Sequence, residues 1–444
     1  MSTPSEILSP GGERVKIARN YVLLLLTVTY SLSVLDRFLL GILLPQIKAE
    51  LQLSDSYLGL LSGIAFALFY ATLGMPIARL ADRYGRKYVI AASLALFSFM
   101  TVLCGSAVSF LTLFLARVGV GVGEAGTTPA SLSVLSDLFE KQRRSTAMAI
   151  FSVGANVGLL IGFLVGGYVA VEYGWRQAFW IVGLPGIIVA IVIALTLKEP
   201  PRGYADGLAG KDGEHDTIAG KSAGTDFLSA VKFLLSQKSY RRNVLGLSMM
   251  LFVGTGVIAW LPSFLARSHG MQADEVGRTL GLALGLAGPI GTIVLGGLVA
   301  DRLSKRDLRW GGWVIGLGAL LLIPAYLFVI YAPSGTLAVA AFFIPATLGV
   351  FYQGPTVAMT QAASPVSMRA TAGALMLLIG NLIGLGLGPL GIGILSDWLE
   401  PRFGVDSLRY ALLLAPVGAI AGALLYFSAT RTLAADIERA ERFD

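Results

Sequence analysis

Long apolar stretches, each close to the length needed to cross a bilayer, recur along the whole chain with short polar turns between them. A spanning α-helix needs about 20 mostly apolar residues. The pattern predicts such helices over residues 20–46, 56–80, 88–107, 110–135, 146–171 and 176–197. After a polar connection it predicts six more, over 243–266, 275–300, 311–331, 335–360, 370–396 and 408–430. The fold class that follows is an all-α integral membrane protein with twelve transmembrane helices in two six-helix bundles. Its expected parts are a tail 1–19, an N-terminal bundle 20–197, a linker 198–242, a C-terminal bundle 243–430 and a tail 431–444.

The polar segments refine this plan. Arg14, Lys16 and Arg19 precede the apolar run Tyr21 to Leu35 as in a secretory signal, but Asp36-Arg37 follows where a small-residue cleavage site belongs, so the segment reads as a retained spanning helix. Of the 34 Lys and Arg residues, 26 fall on one side of the alternating spans and six on the other, with Arg37 and Arg117 left inside helices. The positive-inside rule then puts both termini in the cytoplasm of a cell whose inner membrane holds the chain. The linker opens on Glu199-Pro200-Pro201 and carries several glycines, which makes its first half a flexible connection. In its second half Phe227, Val231, Leu234 and Leu235 share a helical face behind a candidate N-cap, Thr225, the pattern of an interfacial amphipathic helix.

Composition closes off other classes. Hydrophobic residues are 55% of 444 and charged residues 14%, against about 25% charged in soluble domains. The net charge of +7 comes from helix ends rather than one basic face, so it does not mark a nucleic-acid binder. Cys104 is the single cysteine and lies in an apolar run, while His215 and His269 sit apart in polar connections; no disulfide framework or metal set is visible. There is no Gly-x-Ser-x-Gly, His-Glu-x-x-His or phosphate-binding glycine loop with lysine, so a membrane enzyme has no machinery to point to and no cofactor is called for.

The two halves repeat. Ala78-Arg79-Leu80-Ala81-Asp82-Arg83-Tyr84-Gly85-Arg86-Lys87 returns as Gly297-Leu298-Val299-Ala300-Asp301-Arg302-Leu303-Ser304-Lys305-Arg306, and Arg144, Thr146, Ala147, Ala149 and Asn156 return as Arg369, Thr371, Ala372, Ala374 and Asn381. Two related bundles are the arrangement in which a transporter binds substrate near mid-membrane. The Asp82-Arg83-x-Gly85-Arg86-Lys87 segment resembles the signature loop of the major facilitator superfamily, although Ala78 stands where that loop has glycine. An Asp at a helix end facing an Arg latches two helices in one conformation and releases them in another, a role expected for Asp82, Arg83, Arg86, Asp301 and Arg302. Glycines spaced by four, Gly154, Gly158, Gly162 and Gly166, and later Gly380, Gly384 and Gly388, predict closely packed helix pairs.

Ionisable residues at membrane depth cost at least about 2.5 kcal/mol each on insertion scales, so Asp36, Arg37, Arg117 and Glu124 stand out. Arg117 and Glu124 share a face of one helix about two turns apart, too far to neutralise each other directly. Asp36 and Arg37 point about 100° apart, so each needs a partner on another helix; Asp36 with Arg117 and Glu124 with Arg37 are both open. A buried carboxylate, Asp36 or Glu124, can carry a coupled proton. Arg37 and Arg117 offer bidentate geometry to a carboxylate or phosphate on the substrate.

Leu35-Asp36-Arg37-Phe38, Leu44-Pro45-x-Ile47, Arg117-Val118-Gly119-Val120-Gly121-Val122-Gly123-Glu124-Ala125, Pro129 and Ser136-Asp137-Leu138-Phe139 resemble the spinster family. The resemblance implies transport of sphingosine-1-phosphate or lysophospholipids, with Asp36, Arg37 and Glu124 at the headgroup and proton site. In the C-terminal half Trp260, Tyr352 and Gln353 are candidates to line the substrate site. The expectation is a monomeric secondary transporter, proton-coupled and working by alternating access, whose partners are a small amphiphilic substrate, protons and the surrounding membrane lipids. A general organic-anion, metabolite or drug transporter on the same fold is the alternative, and a non-transporting receptor a third reading.

Overall fold

The structure, a computed structural model, describes residues 5–8, 14–206, 227–291 and 309–443. Among these residues eleven helical segments are long and apolar enough to cross a membrane. The first half holds α1 (Arg19–Leu51), α2 (Asp55–Ser62), α3 (Ile64–Tyr84), α4 (Arg86–Gly105), α5 (Phe110–Leu138), α6 (Lys141–Glu172) and α7 (Trp175–Thr196). The second holds α8 (Phe227–Ser236), α9 (Lys238–His269), α10 (Ala273–Ile290), α11 (Arg309–Ile330), α12 (Gly335–Leu348), α13 (Gln353–Ala362), α14 (Arg369–Gly380), α15 (Leu387–Phe403), α16 (Ser407–Ala411) and α17 (Leu414–Glu441). The span expected over 275–300 starts as α10, and its remainder lies outside the described residues. So do Asp301, Arg302 and Thr225, and the side chains of Asp82 and Ala78. The segment expected as a plain N-terminal tail contains a short antiparallel pair, β1 (Ser5–Leu8) and β2 (Arg14–Ile17), with Ser5 opposite Ile17.

Helix ends follow local chemistry. Ser109 and Thr112 form a capping box at the start of α5, and the hydroxyls of Ser54 and Ser334 accept from the backbone N–H groups of Tyr57 and Leu337. Gly270 ends α9 in the left-handed region at φ 67°, which L side chains seldom adopt. The second expected span is two helices because Gly63 interrupts it. A Cβ there would lie 2.2 Å from the Gly386 carbonyl oxygen, so the approach tolerates only glycine. The eleventh span contains a π-helical turn at Asn381–Gly386 between α14 and α15.

The chain divides into two compact units. The first comprises Met1–Leu39 and Leu68–Ala219, the second Leu40–Ala67 and Gly220–Asp444. The division cuts through α1 and through the second span, so residues 40–67 pack with the second unit although they precede the linker. In the first unit α4 packs on α5 and α7. The glycine row of α6 seats on α1: Cβ atoms at Gly154, Gly158 and Gly162 would come within 2.8, 2.1 and 3.1 Å of the carbonyl oxygens of Thr27, Ser31 and Leu35. The second unit repeats the device, with Gly384 and Gly388 against Leu251 and Phe252 of α9. Of the face expected on the amphipathic helix, α8 buries Leu234, together with Ala230 one turn earlier, and leaves Leu235 exposed. Its Phe233 packs on Phe443 with Arg439 over the ring, so the docking surface is centred on Ala230 and Leu234 rather than on Leu235.

Candidate functional site

The first unit brings the four intramembrane charges together. Glycine-rich α5 lets α4 approach closely, since a Cβ at Gly123 would lie 2.5 Å from the Phe97 backbone nitrogen. That contact sets Thr101 of α4 beside α1. The α6 glycine row holds α1 from another side, at Thr27, Ser31 and Leu35. Between these supports both open pairings are realised at once. Arg117 Nη1 donates to Asp36 Oδ2 at 2.9 Å, and Arg37 Nη2 donates to Glu124 Oε2 at 2.7 Å. Neighbouring residues on one helix point apart, which is why Asp36 and Arg37 reach different partners on α5.

The two pairs have different surroundings. Asp36 and Arg117 are both 1% exposed. The Thr101 hydroxyl lies 2.7 Å from Asp36 Oδ1 and 2.9 Å from the Phe97 carbonyl. The carboxylate is the stronger acceptor of its one proton, so both Asp36 oxygens are occupied. In the other pair Glu124 is fully buried, whereas the Arg37 side chain is 22% exposed. Ser33 Oγ also donates to Glu124 Oε2 at 2.7 Å, and Oε1 has no hydrogen-bond partner among the described residues. The Tyr70 ring of α3 lies 4.9 Å from the Arg37 guanidinium carbon, a cation–π contact. Sequence reasoning missed Ser33, Thr101 and Tyr70. Hydroxyls and tyrosines are ordinary in spanning helices, and the one available signal, Ser33 one turn before Arg37 on the same face, does not stand out among them.

The candidates from the second half belong to the second unit. Trp260 is fully buried and its indole N–H donates to the Pro389 carbonyl at 2.8 Å, which ties α9 to α15. Tyr352 is buried, and Gln353, which opens α13, is exposed.

At the signature loop, Arg86 is the centre of a polar cluster among the described residues. The buried guanidinium donates from Nε to Glu199 at 2.7 Å, from Nη1 to Asp137 and to Ser133 at 3.0 Å, and from Nη2 to the Pro200 carbonyl at 2.8 Å. Glu199 also accepts from the backbone N–H groups of Arg86 and Lys87 at 3.2 Å, capping α4 with a carboxylate from the linker. Arg83 is exposed and lies over the Tyr84 ring. In the second unit an unforeseen cluster surrounds Asp55, which is 2% exposed. Its oxygens accept from Arg267 Nη1 and Nη2 at 2.6 and 2.7 Å, from Lys48 at 2.7 Å and from Ser396 at 2.7 Å. Asp397 accepts from the backbone N–H groups of Asp55 and Ser56, at 2.8 and 2.7 Å, capping α2 from α15. Among the described residues no group of three or more His, Cys, Asp or Glu side chains is arranged to hold a metal ion.

Paired helical repeats with buried, mutually compensating charges define a membrane transporter, and comparison places it. Residues 26–389 match the model of the Major Facilitator Superfamily, and the chain belongs to that family. A protein of Mycolicibacterium smegmatis described as an MFS-type efflux pump is 34% identical over 413 residues, covering 93% of this chain and 92% of that protein. Protein spinster homolog 1 of Xenopus tropicalis is 27% identical over 434 residues, 93% of this chain and 80% of the relative. A crystal structure of a bacterial homologue of the human lysosomal transporter spinster, in an inward-facing and unoccupied conformation, superposes with a TM-score of 0.83. It is 33% identical and covers 94% of this chain and 98% of its own. Within the superfamily the chain is therefore a bacterial-type transporter of the spinster kind, a multi-pass membrane protein and not an enzyme.

Proposed function

We propose that this chain is a proton-coupled secondary transporter of the inner membrane, with both termini cytoplasmic. Its substrate in this reading is an amphiphilic anion or zwitterion of the lysophospholipid or sphingosine-1-phosphate type. The observation that carries the reading is the asymmetry of one ion pair: Glu124 is fully buried while its partner Arg37 keeps 22% of its side chain accessible. An anionic headgroup can reach Arg37 and not Glu124. A guanidinium that turns toward a phosphate leaves Glu124 without its countercharge in a medium where a lone charge is costly. Glu124 then takes up a proton, and the site as a whole stays electrically balanced. Anion and proton bind together by this exchange, without nucleotide or metal. Asp36, joined to Arg117 and to Thr101, ties α1 to α5 and α4. An anion and a proton moved together carry no net charge, so the pH gradient rather than the membrane potential drives them, at roughly tenfold substrate accumulation per pH unit for each proton.

The mycobacterial efflux pump among the relatives favours a second reading, export of drugs or other organic anions through the same Arg37 and Glu124 site. Vesicles reconstituted with purified protein under an imposed pH gradient test both. Uptake of a labelled lysophospholipid that soluble organic anions and drugs fail to compete supports the first; the converse supports the second. Glu124→Gln should abolish concentrative uptake while sparing exchange. Arg37→Ala should weaken binding of a phosphorylated lysolipid by roughly 1.5 to 3 kcal/mol, the worth of a hydrogen bond to a charged group, with Arg37→Lys intermediate. A Glu124→Gln variant that still builds a gradient collapsed by a protonophore places the proton elsewhere.

A further inference from the structure

Resting on the reading of Glu124 as the proton carrier, we infer that Ser33 is the positioning residue that selects Glu124 Oε1 as the protonated atom and sets the pH at which Glu124 loads. Ser33 and Arg37 are four residues apart on α1, one helical turn, so their side chains leave the helix on one face. Both donate to the same carboxylate oxygen, Oε2, at 2.7 Å each. The second oxygen, Oε1, is buried with no hydrogen-bond partner among the described residues. A proton placed on Oε1 leaves both donors of Oε2 undisturbed; a proton on Oε2 competes with them.

Arg37 and Ser33 differ in what they do during an exchange. Arg37 is accessible and leaves for an anion, whereas Ser33 is 1% exposed and uncharged, with no reason to follow it. Its backbone is fixed by the α6 glycine row at Ser31 and Leu35 on either side. When Arg37 departs, the Ser33 hydroxyl therefore keeps Glu124 in place and alone supports its charged form. The charged and titratable groups facing Glu124 are Arg37, Asp36 and Tyr30 of α1, with Tyr70 of α3 behind Arg37; Arg117 on its own helix is committed to Asp36. None of these duplicates the Ser33 contact.

Infrared difference spectroscopy on the full-length protein in lipid nanodiscs, titrated over pH, reads this without a substrate. The carboxyl C=O band present in the wild type and missing in Glu124→Gln reports Glu124. Ser33→Ala should move its midpoint up by about one pH unit, a tenfold gain in proton affinity worth 1.36 kcal/mol. The band should also change frequency, and Ser33→Thr, which retains the hydroxyl, should restore both. If no Glu124-dependent band titrates in the wild type, the proton reading fails and this assignment falls with it. If the band titrates but Ser33→Ala leaves midpoint and frequency where they were, Glu124 remains the carrier and Ser33 has no part in it.

Discussion

At the scale of single residues, the two buried ion pairs are alike in charge and unlike in consequence. Asp36 and Arg117 are both sealed, so removing one of them leaves the other as a buried charge without its countercharge. Arg117→Ala should destabilise the protein by about 3 to 5 kcal/mol. The double variant Asp36→Ala with Arg117→Ala should cost less than that single change, because no charge is left over. Thermal unfolding of the purified variants in detergent checks the order; a double variant less stable than the single one would show that the pair contributes more than mutual compensation. These four charges were conspicuous in the sequence because charge at membrane depth is expensive. Their pairing stayed ambiguous there, since a helical wheel fixes directions on one helix and not the neighbour each direction meets. Ser33 and Thr101 carry no such cost and so no such signal.

Individual helices show where close approach is built in. Gly158→Ala on α6 would set a methyl group 2.1 Å from the Ser31 carbonyl oxygen, a clash with backbone that cannot be relieved by rotating a side chain. It should lower stability by about 1 to 3 kcal/mol, whereas Gly254→Ala on α9, with nothing within 4 Å of the added Cβ, should be neutral or stabilising. Equal melting temperatures for the two would refute the seating of α6 on α1. The spacing of four announced this packing in the sequence, though not its partner helix. The signature loop was recognised by its residues, but the sequence did not show what Arg86 meets, which is Asp137 of α5 and Glu199 of the linker, 113 residues on. Arg86→Ala should therefore reduce thermal stability strongly, and Arg83→Ala, at an exposed position, hardly at all. A variant of Arg86 that melts with the wild type would make the loop a charge signal for orientation only.

For the molecule as a whole, the apolar runs made the order of the described spans legible, because a bilayer imposes one length on every crossing. The compact units were less so. Nothing in residues 40–67 announces that they pack with the second unit, and the Asp55 cluster draws on positions up to 342 residues apart whose charges sit at helix ends, where charge is ordinary. Asp55→Asn leaves Arg267 and Lys48 without their shared carboxylate, and it should loosen α2 from α9 and α15. In a background lacking Cys104, a cysteine replacing Leu58, which is fully buried, should then react several-fold faster with a thiol reagent than in the parent. An unchanged rate would show that the close backbone contacts of Gly59 with Pro389 and of Gly63 with Gly386 hold α2 unaided. The ion pairs of the first unit also bear on how the protein is made. Asp36 and Arg37 wait for partners that lie 81 and 87 residues further along, and at about 5 to 20 residues per second that is roughly 4 to 17 s of synthesis. For that interval the nascent first helix carries two uncompensated charges, so the insertion machinery must shelter it at the edge of the lipid until the fifth helix emerges from the ribosome.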